Sequence, residues 1–538
     1  MYPEDYEIKS DRLIRQWIAE GFVKHETEKT LEEVGQQYLS GLVRRSLVQV
    51  SSFRIDGKVK RCRVHDLIHD MILGKVKDTG FCQYIDEREQ SVSSKIVRRL
   101  TIATNDFSGS IGSSPIRSIL ICTGEDEEVS EHLVNKIPTN YMLLKVLDFE
   151  GSGLRYIPEN LGNLCHLKYL SFRYTRIVSL PKSIGNLQNL KTLDIRDTSV
   201  SKMPEEIPKL TKLRHLLFYA MCSIQWKDIG GMTSLQEIPR VFIDDDGVVI
   251  REVAKLKQLR ELTVEDFMGK HEKTLCSLIN EKPLLEKLLI ETADVSEVID
   301  LYITSPMSTL RKLVLFGKLT RLPNWISQFP NLVQLHLYNS RLTNDVLKSL
   351  NNMPRLLFLD LSSNAYEVPS GIQHLEKLKD LYIEDMPTEF EQRIAPDGGE
   401  DHWIIQDVPH IQGEEMYGEI ERFIKVWISA ILGLCYCYYI AARIPKGFLR
   451  LLSLLAILYL FIILPLNISS PNLVGYTSFF LVQLGIFKLL LFSFNKGPLA
   501  LSPPNIVHFI SIASLPISPK PTKKITPPTP KSQNGYCP

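Results

Sequence analysis

The stretch 144–218 reads LKVLDFEGSGLRYIPENLGNLCHLKYLSFRYTRIVSLPKSIGNLQNLKTLDIRDTSVSKMPEEIPKLTKLRHLLF, and its register decides the fold. Leu144, Leu167, Leu190 and Leu213 stand 23 residues apart. Leu147, Leu170, Leu193 and Leu216 keep that spacing, and Phe149, Phe172, Ile195 and Phe218 complete an LxxLxL unit. Leu154, Ile177 and Val200 fill the next layer, Pro158, Pro181 and Pro204 break the chain at one phase, and Leu164, Leu187 and Leu210 close each turn. A fixed period of this kind marks a solenoid, in which one coil presents an apolar face that only its neighbours can cover.

The register returns with looser spacing at Leu259/Leu262, Leu285/Leu288, Leu310/Leu313, Leu332/Leu335, Leu356/Leu359 and Leu378/Leu381. The sequence therefore predicts an α/β leucine-rich-repeat solenoid over about 140–386, with roughly ten coils. The stretch Met221 to Arg251, with its acidic run Asp244 to Asp246, keeps the pattern poorly and predicts an irregular coil or insertion. Side chains alternate along a strand, so the residues between the leucines face out of the sheet and line the concave side. From that set we take Tyr169, Arg173, Asp194, Arg196, His215, Tyr219, Lys312, Phe316, His336, Tyr338 and Asp360 as the candidate ligand-binding surface. Aromatics that anchor, mixed with charges that select, suit a protein partner. The alternative for each is a solvated face with no partner.

Composition narrows the classes. The chain has 538 residues, 44% hydrophobic and 23% charged, with a net charge of +1. That balance gives no electrostatic footprint for nucleic acid. Nine cysteines are scattered without CxxC pairs or zinc-ligand spacing, so no metal site is expected and reduced thiols in a cytosolic compartment are. The opening MYPEDYEIKSDR has no apolar run of signal-peptide type.

Before the repeats, residues 1–80 predict a helix from about Asp11 to Glu20 closed by Gly21, and a second helix whose Thr30 and Glu33 have capping-box spacing. A hairpin follows: LVQVSSFRI, the turn pair Asp56-Gly57, then KVKRCRV. Together these make a winged-helix shape, with 81–139 as a connecting and capping segment of the solenoid. His65 and His69 lie four apart in HDLIH, which differs from the zinc motif HExxH by one carboxylate, but no third ligand follows at a suitable spacing.

YPEDYEIKSDRLIRQWIAEGFV, LEEVGQQYLSGLVRRSLVQV and RCRVHDLIHDMI, followed by repeats with an LPxxIxxLxxL phase, resemble plant coiled-coil nucleotide-binding leucine-rich-repeat (NB-ARC) disease resistance proteins over 1 to about 386. The resemblance implies an innate immune receptor whose repeats recognise a pathogen effector or a guarded host protein and also take part in autoinhibition. It also implies that Val64, His65 and Asp66 match a Met-His-Asp motif, whose histidine senses the β-phosphate of ADP. No GxxxxGK[ST] loop occurs in the sequence, so we expect His65 to have no nucleotide to sense and the chain to take no cofactor.

After a polar stretch at 387–415, read as a linker, composition turns apolar. Phe423 to Ala442, Leu449 to Leu466 and Tyr476 to Phe494 have membrane-spanning length, and Ile506 to Ile517 is a shorter run. The Pro- and Lys-rich end, 518–538, is expected to be disordered. EMYGEIERFIKVWISAILGLCYCYYIAARIPKGFLRLLSLLAILYLFIILPLN, with FKLLLFSFNKGPL and HFISIASLPI beyond it, resembles the N-terminal part of plant wax synthases, membrane-bound acyltransferases that join fatty acyl-CoA to long-chain alcohols. The resemblance covers about 416–538. It implies an endoplasmic reticulum membrane for this block and leaves out the family's catalytic histidine, so no catalytic residue and no acyl transfer are expected. The juxtaposition of two partial families suggests a fused or mispredicted gene.

Overall fold

The computed structural model describes residues 2–79, 81–85, 97–104, 115–124, 127–219, 222–294, 296–304, 307–319, 322–340, 350, 353–362, 372, 375–383, 392–394, 399–412, 415–467, 475, 477–501 and 506–514. The tail expected to be disordered, 518–538, lies outside them. The chain divides into two compact units, Met1–Gly413 and Glu414–Pro538.

The first unit opens with a strand β1 (Ile8–Lys9), helices α1 (Ser10–Glu20) and α2 (Leu31–Arg44), and a hairpin of β2 (Val48–Phe53) and β3 (Val59–Val64), before α3 (Asp66–Thr79). The strands form one antiparallel sheet in the order β1-β3-β2. The winged-helix reading of this block agrees with the structure in its local detail. Gly21 takes φ +88° and ends α1, a conformation that strains any residue with a Cβ. At α2 the Thr30 hydroxyl accepts from the Glu33 amide while the Glu33 carboxylate accepts from the Thr30 amide, a complete capping box.

The solenoid strands are β4 (Gln83–Ile85), β5 (Arg99–Ile102), β6 (Ser118–Ile121), β7 (Val146–Asp148), β8 (Tyr169–Ser171), β9 (Thr192–Asp194), β10 (His215–Leu217), β11 (Glu237–Phe242), β12 (Glu261–Phe267), β13 (Lys287–Thr292), β14 (Lys312–Phe316), β15 (Gln334–Tyr338), β16 (Phe358–Asp360), β17 (Asp380–Tyr382) and β18 (His410–Gln412). They build one 15-stranded parallel sheet in chain order. The pairing joins repeat positions, for example Tyr169↔Thr192 and Leu170↔Leu193. Leu144, Leu167, Leu190, Leu213, Leu193 and Leu335 are all 0% exposed, so one apolar core runs the length of the array.

Two details make the 23-residue coil turn. Ser152, Thr175 and Thr198, each 23 residues apart, donate their hydroxyls to the carbonyls of Phe149, Phe172 and Ile195 at 2.8, 2.6 and 2.7 Å. At Gly162 an added Cβ would lie 2.4 Å from the Ser183 carbonyl of the next coil, so the convex sides close up only with glycine there.

The structure moves two expected boundaries. The sheet starts at Gln83 and ends at Gln412, so β4 to β6 belong to the segment expected to connect and cap, and β18 to the expected linker. Parallel pairing uses backbone groups, and these coils join it without the LxxLxL spacing. The irregular stretch 221–251 holds a regular partner, β11, whose register shifts between Glu237 and Arg240, and the start of a helix α4 (Val248–Lys255) on the other side of the coil.

The second unit contains helices Glu415–Tyr439 and Phe448–Ile463, a π-helical turn Phe479–Gly485 continuing into Ile486–Ser493, and a last helix Ile506–Ser514. Two stretches, Phe423–Arg443 and Phe448–Leu466, are long and apolar enough to cross a membrane, and only 28% and 33% of them is buried. A core helix of a soluble protein would hide most of that surface. The third expected span is an apolar helix Phe479–Ser493, too short alone for a hydrocarbon core about 30 Å thick.

Leu193→Ala should lower stability by about 3 kcal/mol in chemical denaturation, because neighbouring coils cannot collapse into the gap. Val178→Ala, at a side chain 65% exposed, should stay within about 0.5 kcal/mol. Equal effects would contradict the register.

Candidate functional site: the concave face of the solenoid

Alternation along a strand should leave every second residue open on the concave side, and β13 shows that pattern: Leu288, Ile290 and Thr292 are buried while Lys287, Leu289 and Glu291 are not. In β7 to β10 it fails, because every residue is buried. The cover is the chain's own N-terminal block. Tyr2, Ile8 and Ala19 form a cluster with Leu120, Val146 and Tyr169, and Tyr169 is 1% exposed.

Charge pairs then fix the docking. Arg12 of α1 reaches Asp148 with Nε to Oδ2 at 2.8 Å and Glu150 at 3.2 Å, with side-chain exposures of 5%, 0% and 10%. Gln16 donates to the same Asp148 oxygen at 2.5 Å, and Tyr2 donates to Gln16 at 2.7 Å. Arg15 meets Glu237 at 2.8 Å, and Glu20 meets Arg99 at 2.9 Å. From α2, Glu32 accepts from Arg214 at 2.8 Å and lies 3.1 Å from His215. A polar cavity of about 310 Å³ remains between the block and the sheet, lined among others by Lys9, Arg15, Glu32, Asp194, Arg196 and Lys287.

These contacts shift the acids in opposite directions. Burial alone would raise Glu32 and Glu237, yet the His215 hydrogen bond and Arg214 bring Glu32 down to about 2, and Arg15 with His215 hold Glu237 well below its ordinary value. Glu150 goes the other way: burial raises it, and Arg12 does not outweigh burial combined with Asp148 and Asp194.

The expected binding residues thus separate into two sets. Tyr169, Asp194 and His215 are covered, and Arg173 is 9% exposed, bonded to Asp197 at 3.0 Å and lying over the Tyr174 ring. Arg196 forks onto Asp194 with bonds of 2.9 and 2.5 Å. These five serve internal contacts and do not form an open surface. Tyr219 stays 54% exposed. Further along, Lys312, Phe316, His336, Tyr338 and Asp360 share β14 to β16 with Phe358 and neighbour Tyr382 of β17. Rings follow one another there: Phe316 to Tyr338 at 5.7 Å, His336 to Phe358 at 4.6 Å and Phe358 to Tyr382 at 4.8 Å. Asp360 anchors the row by accepting from Tyr338 at 2.5 Å, Ser362 at 2.7 Å and His336 at 3.1 Å. Although burial opposes it, these bonds lower the Asp360 carboxyl.

In the winged-helix block, His65 accepts from the Leu67 amide through Nδ1 at 3.3 Å, capping α3, and Asp66 is exposed. The HDLIH pair makes no metal cluster, and among the described residues no group of three or more His, Cys, Asp or Glu does. The sequence reading missed Tyr2, Arg12, Gln16 and Glu32 as interface residues. Arg12 and Arg15 sit among the polar positions of α1, and a helix pattern does not say which polar side will meet another surface.

Residues 116–398 match the model of the leucine-rich repeat region. The chain belongs to the leucine-rich-repeat family. Its residues 1–72 match the winged-helix domain of disease resistance proteins, so the block on the concave face is of that type. The disease resistance protein RPM1 of Arabidopsis thaliana is 34% identical over 400 residues, 70% of this chain and 42% of that protein. The probable long-chain-alcohol O-fatty-acyltransferase 1 of the same plant is 47% identical over 102 residues, 19% of this chain and 30% of that protein. The chain therefore spans less than half the length of either relative. The crystal structure of the Arabidopsis receptor kinase HAESA, in complex with the peptide hormone IDA and the co-receptor SERK1, matches with a TM-score of 0.40 at 19% identity, covering 55% of this chain and 51% of that one.

Arg12→Leu should weaken the docking of this leucine-rich-repeat protein's N-terminal block by about 3–5 kcal/mol, because it strands Asp148 in a dry contact. Faster amide exchange confined to α1 and β7–β8 would report it. Exchange like that of the wild type would mean the pair is not what holds the block.

Proposed function

We propose that the chain is the recognition module of a plant disease resistance receptor and that its partner is a protein, a pathogen effector or a guarded host protein. The observation that carries this is the division of the concave face. Its first half is sealed by the winged-helix block, and the half from β14 to β17 presents an aromatic row with Lys312 beside it and Asp360 holding it in place. Rigid aromatic rings on an ordered sheet bury large area at small entropy loss, as interface anchors do. Residues Val64, His65 and Asp66 act in this reading as a helix start, with no nucleotide bound to them. We assign the first 415 residues to the cytosol, with no nucleic acid partner.

For the second unit we infer attachment to a membrane of the endoplasmic reticulum through the helices within 423–494, supported by the two apolar stretches and by the acyltransferase likeness. We assign it a membrane-attachment role, with no acyl transfer and no catalytic residue.

Replacing Phe316, Tyr338 and Phe358 together with alanine should cut recovery of partners in proximity labelling in plant cells by about tenfold, with far-ultraviolet circular dichroism unchanged. Undiminished recovery of the same proteins would place the partner elsewhere. The full chain expressed in yeast lacking neutral-lipid acyltransferases should sediment with membranes, resist a carbonate wash and form no wax ester when a long-chain alcohol is supplied. Wax ester above the empty-vector level would overturn the assignment of no acyl transfer, and release by carbonate would overturn the membrane attachment.

A further inference from the structure

His215 on β10 stands between two carboxylates from different parts of the first unit. Its Nε2 lies 3.1 Å from Glu32 Oε1 of α2, and its Nδ1 lies 3.2 Å from Glu237 Oε2 of β11. Both distances are within hydrogen-bond range. An ionised carboxylate only accepts, so each ring nitrogen has to donate, and an imidazole donates from both nitrogens only as the imidazolium. Glu32 and Glu237 are kept ionised by Arg214 and Arg15, at 2.8 Å each. A neutral ring would turn one lone pair toward a carboxylate oxygen.

We propose that Glu32, His215 and Glu237 form a proton-binding clasp, which holds the winged-helix block against the solenoid more tightly while His215 carries both protons. The ligand of this site is a proton and the linked change is docking of the block. The inference is independent of the recognition reading, since it concerns the covered half of the concave face.

The surroundings favour such a coupling. The two arginines balance the two glutamates, so the proton on His215 supplies the surplus charge of the cluster. Beyond them, Asp194 is paired with Arg196 on the β9 side. On β12 and β13 Glu261 is paired with Lys287. Asp11 of α1 is held by Arg54 of the hairpin. None of these pairs lies within the two hydrogen bonds that depend on the histidine. His215 is 7% exposed, so water does not readily replace a lost partner.

Losing the second ring proton removes one charge-assisted bond between α2 and β10 or between β10 and β11. Only the first of these crosses from the block to the solenoid. Arg15 still neutralises Glu237, and Arg214 still neutralises Glu32, so the block loosens without leaving. The expected response is graded.

The test is hydrogen–deuterium exchange of the full chain in lipid nanodiscs at pH 6 and pH 8, corrected for the intrinsic rate. Peptides from α1 and α2 should exchange about tenfold faster at pH 8, with β13 to β15 unchanged. In His215→Gln the response should vanish, because an amide does not titrate. Glu32→Gln is a second variant that leaves the solenoid's own residues intact. Its carboxamide donates to a neutral ring or accepts from a charged one, so the pH response should flatten there too. A wild-type chain with no pH response, or a response that persists in both variants, would overturn the clasp.

Discussion

A single coil of this chain has one apolar face and no means of covering it, and the rest of the structure follows from that constraint. Each inward leucine is dry only because the coil before it and the coil after it supply the walls, so the parallel ladder has to run unbroken. The hydroxyls of Ser152, Thr175 and Thr198 show how strictly the geometry repeats: each donates to the carbonyl three residues before it. A sheet built in this way presents a long, stiff row of outward side chains. What that row carries is then free to vary from coil to coil without disturbing the core.

The chain uses this freedom in two ways. Along β7 to β11 the outward row carries Asp148, Glu150, His215 and Glu237, which match Arg12, Arg15 and Glu32 of the N-terminal helices in a mixture of buried and half-buried pairs. Ion pairs as dry as Arg12–Asp148 gain little net stability, since desolvation offsets attraction, but they penalise any misplaced partner heavily. The contact is thus better suited to fixing one orientation of the block than to binding it strongly. The apolar cluster around Tyr169 contributes the attraction, and the charges determine where it is realised.

Much of this was legible in the sequence. The period of 23 gives the coil, the capping box at Thr30 and the turn at Gly57 give the winged helix, and both follow from rules that act within a few residues. The extra strands at Gln83, Arg99, Ser118 and His410 escaped, because backbone pairing at the ends of the array does not demand leucine at each position. Lys282 escaped as well. It is 1% exposed, with its ammonium donating to the carbonyls of Val253, Ala254 and Leu256 at 2.8 to 2.9 Å, closing the end of α4 across a distance of 26 to 29 residues. No local pattern announces a lysine used in this way. The candidate surface was half legible: alternation correctly names outward residues, but it cannot tell which of them another part of the same chain will cover.

That distinction bears on how the concave face is to be understood chemically. A surface evolved to meet one fixed neighbour can afford buried charge, because every ion finds its partner in every molecule. Contact with a partner that is present only some of the time exposes unpaired ions to water in one state and strips them of it in the other, which costs desolvation at each encounter. Aromatic rings avoid most of that penalty. The passage from the ion pairs of β7–β11 to the ring row of β14–β17, where Asp360 is satisfied by Tyr338, Ser362 and His336 of its own and the preceding coil, is the chemical change expected where a permanent contact gives way to an occasional one.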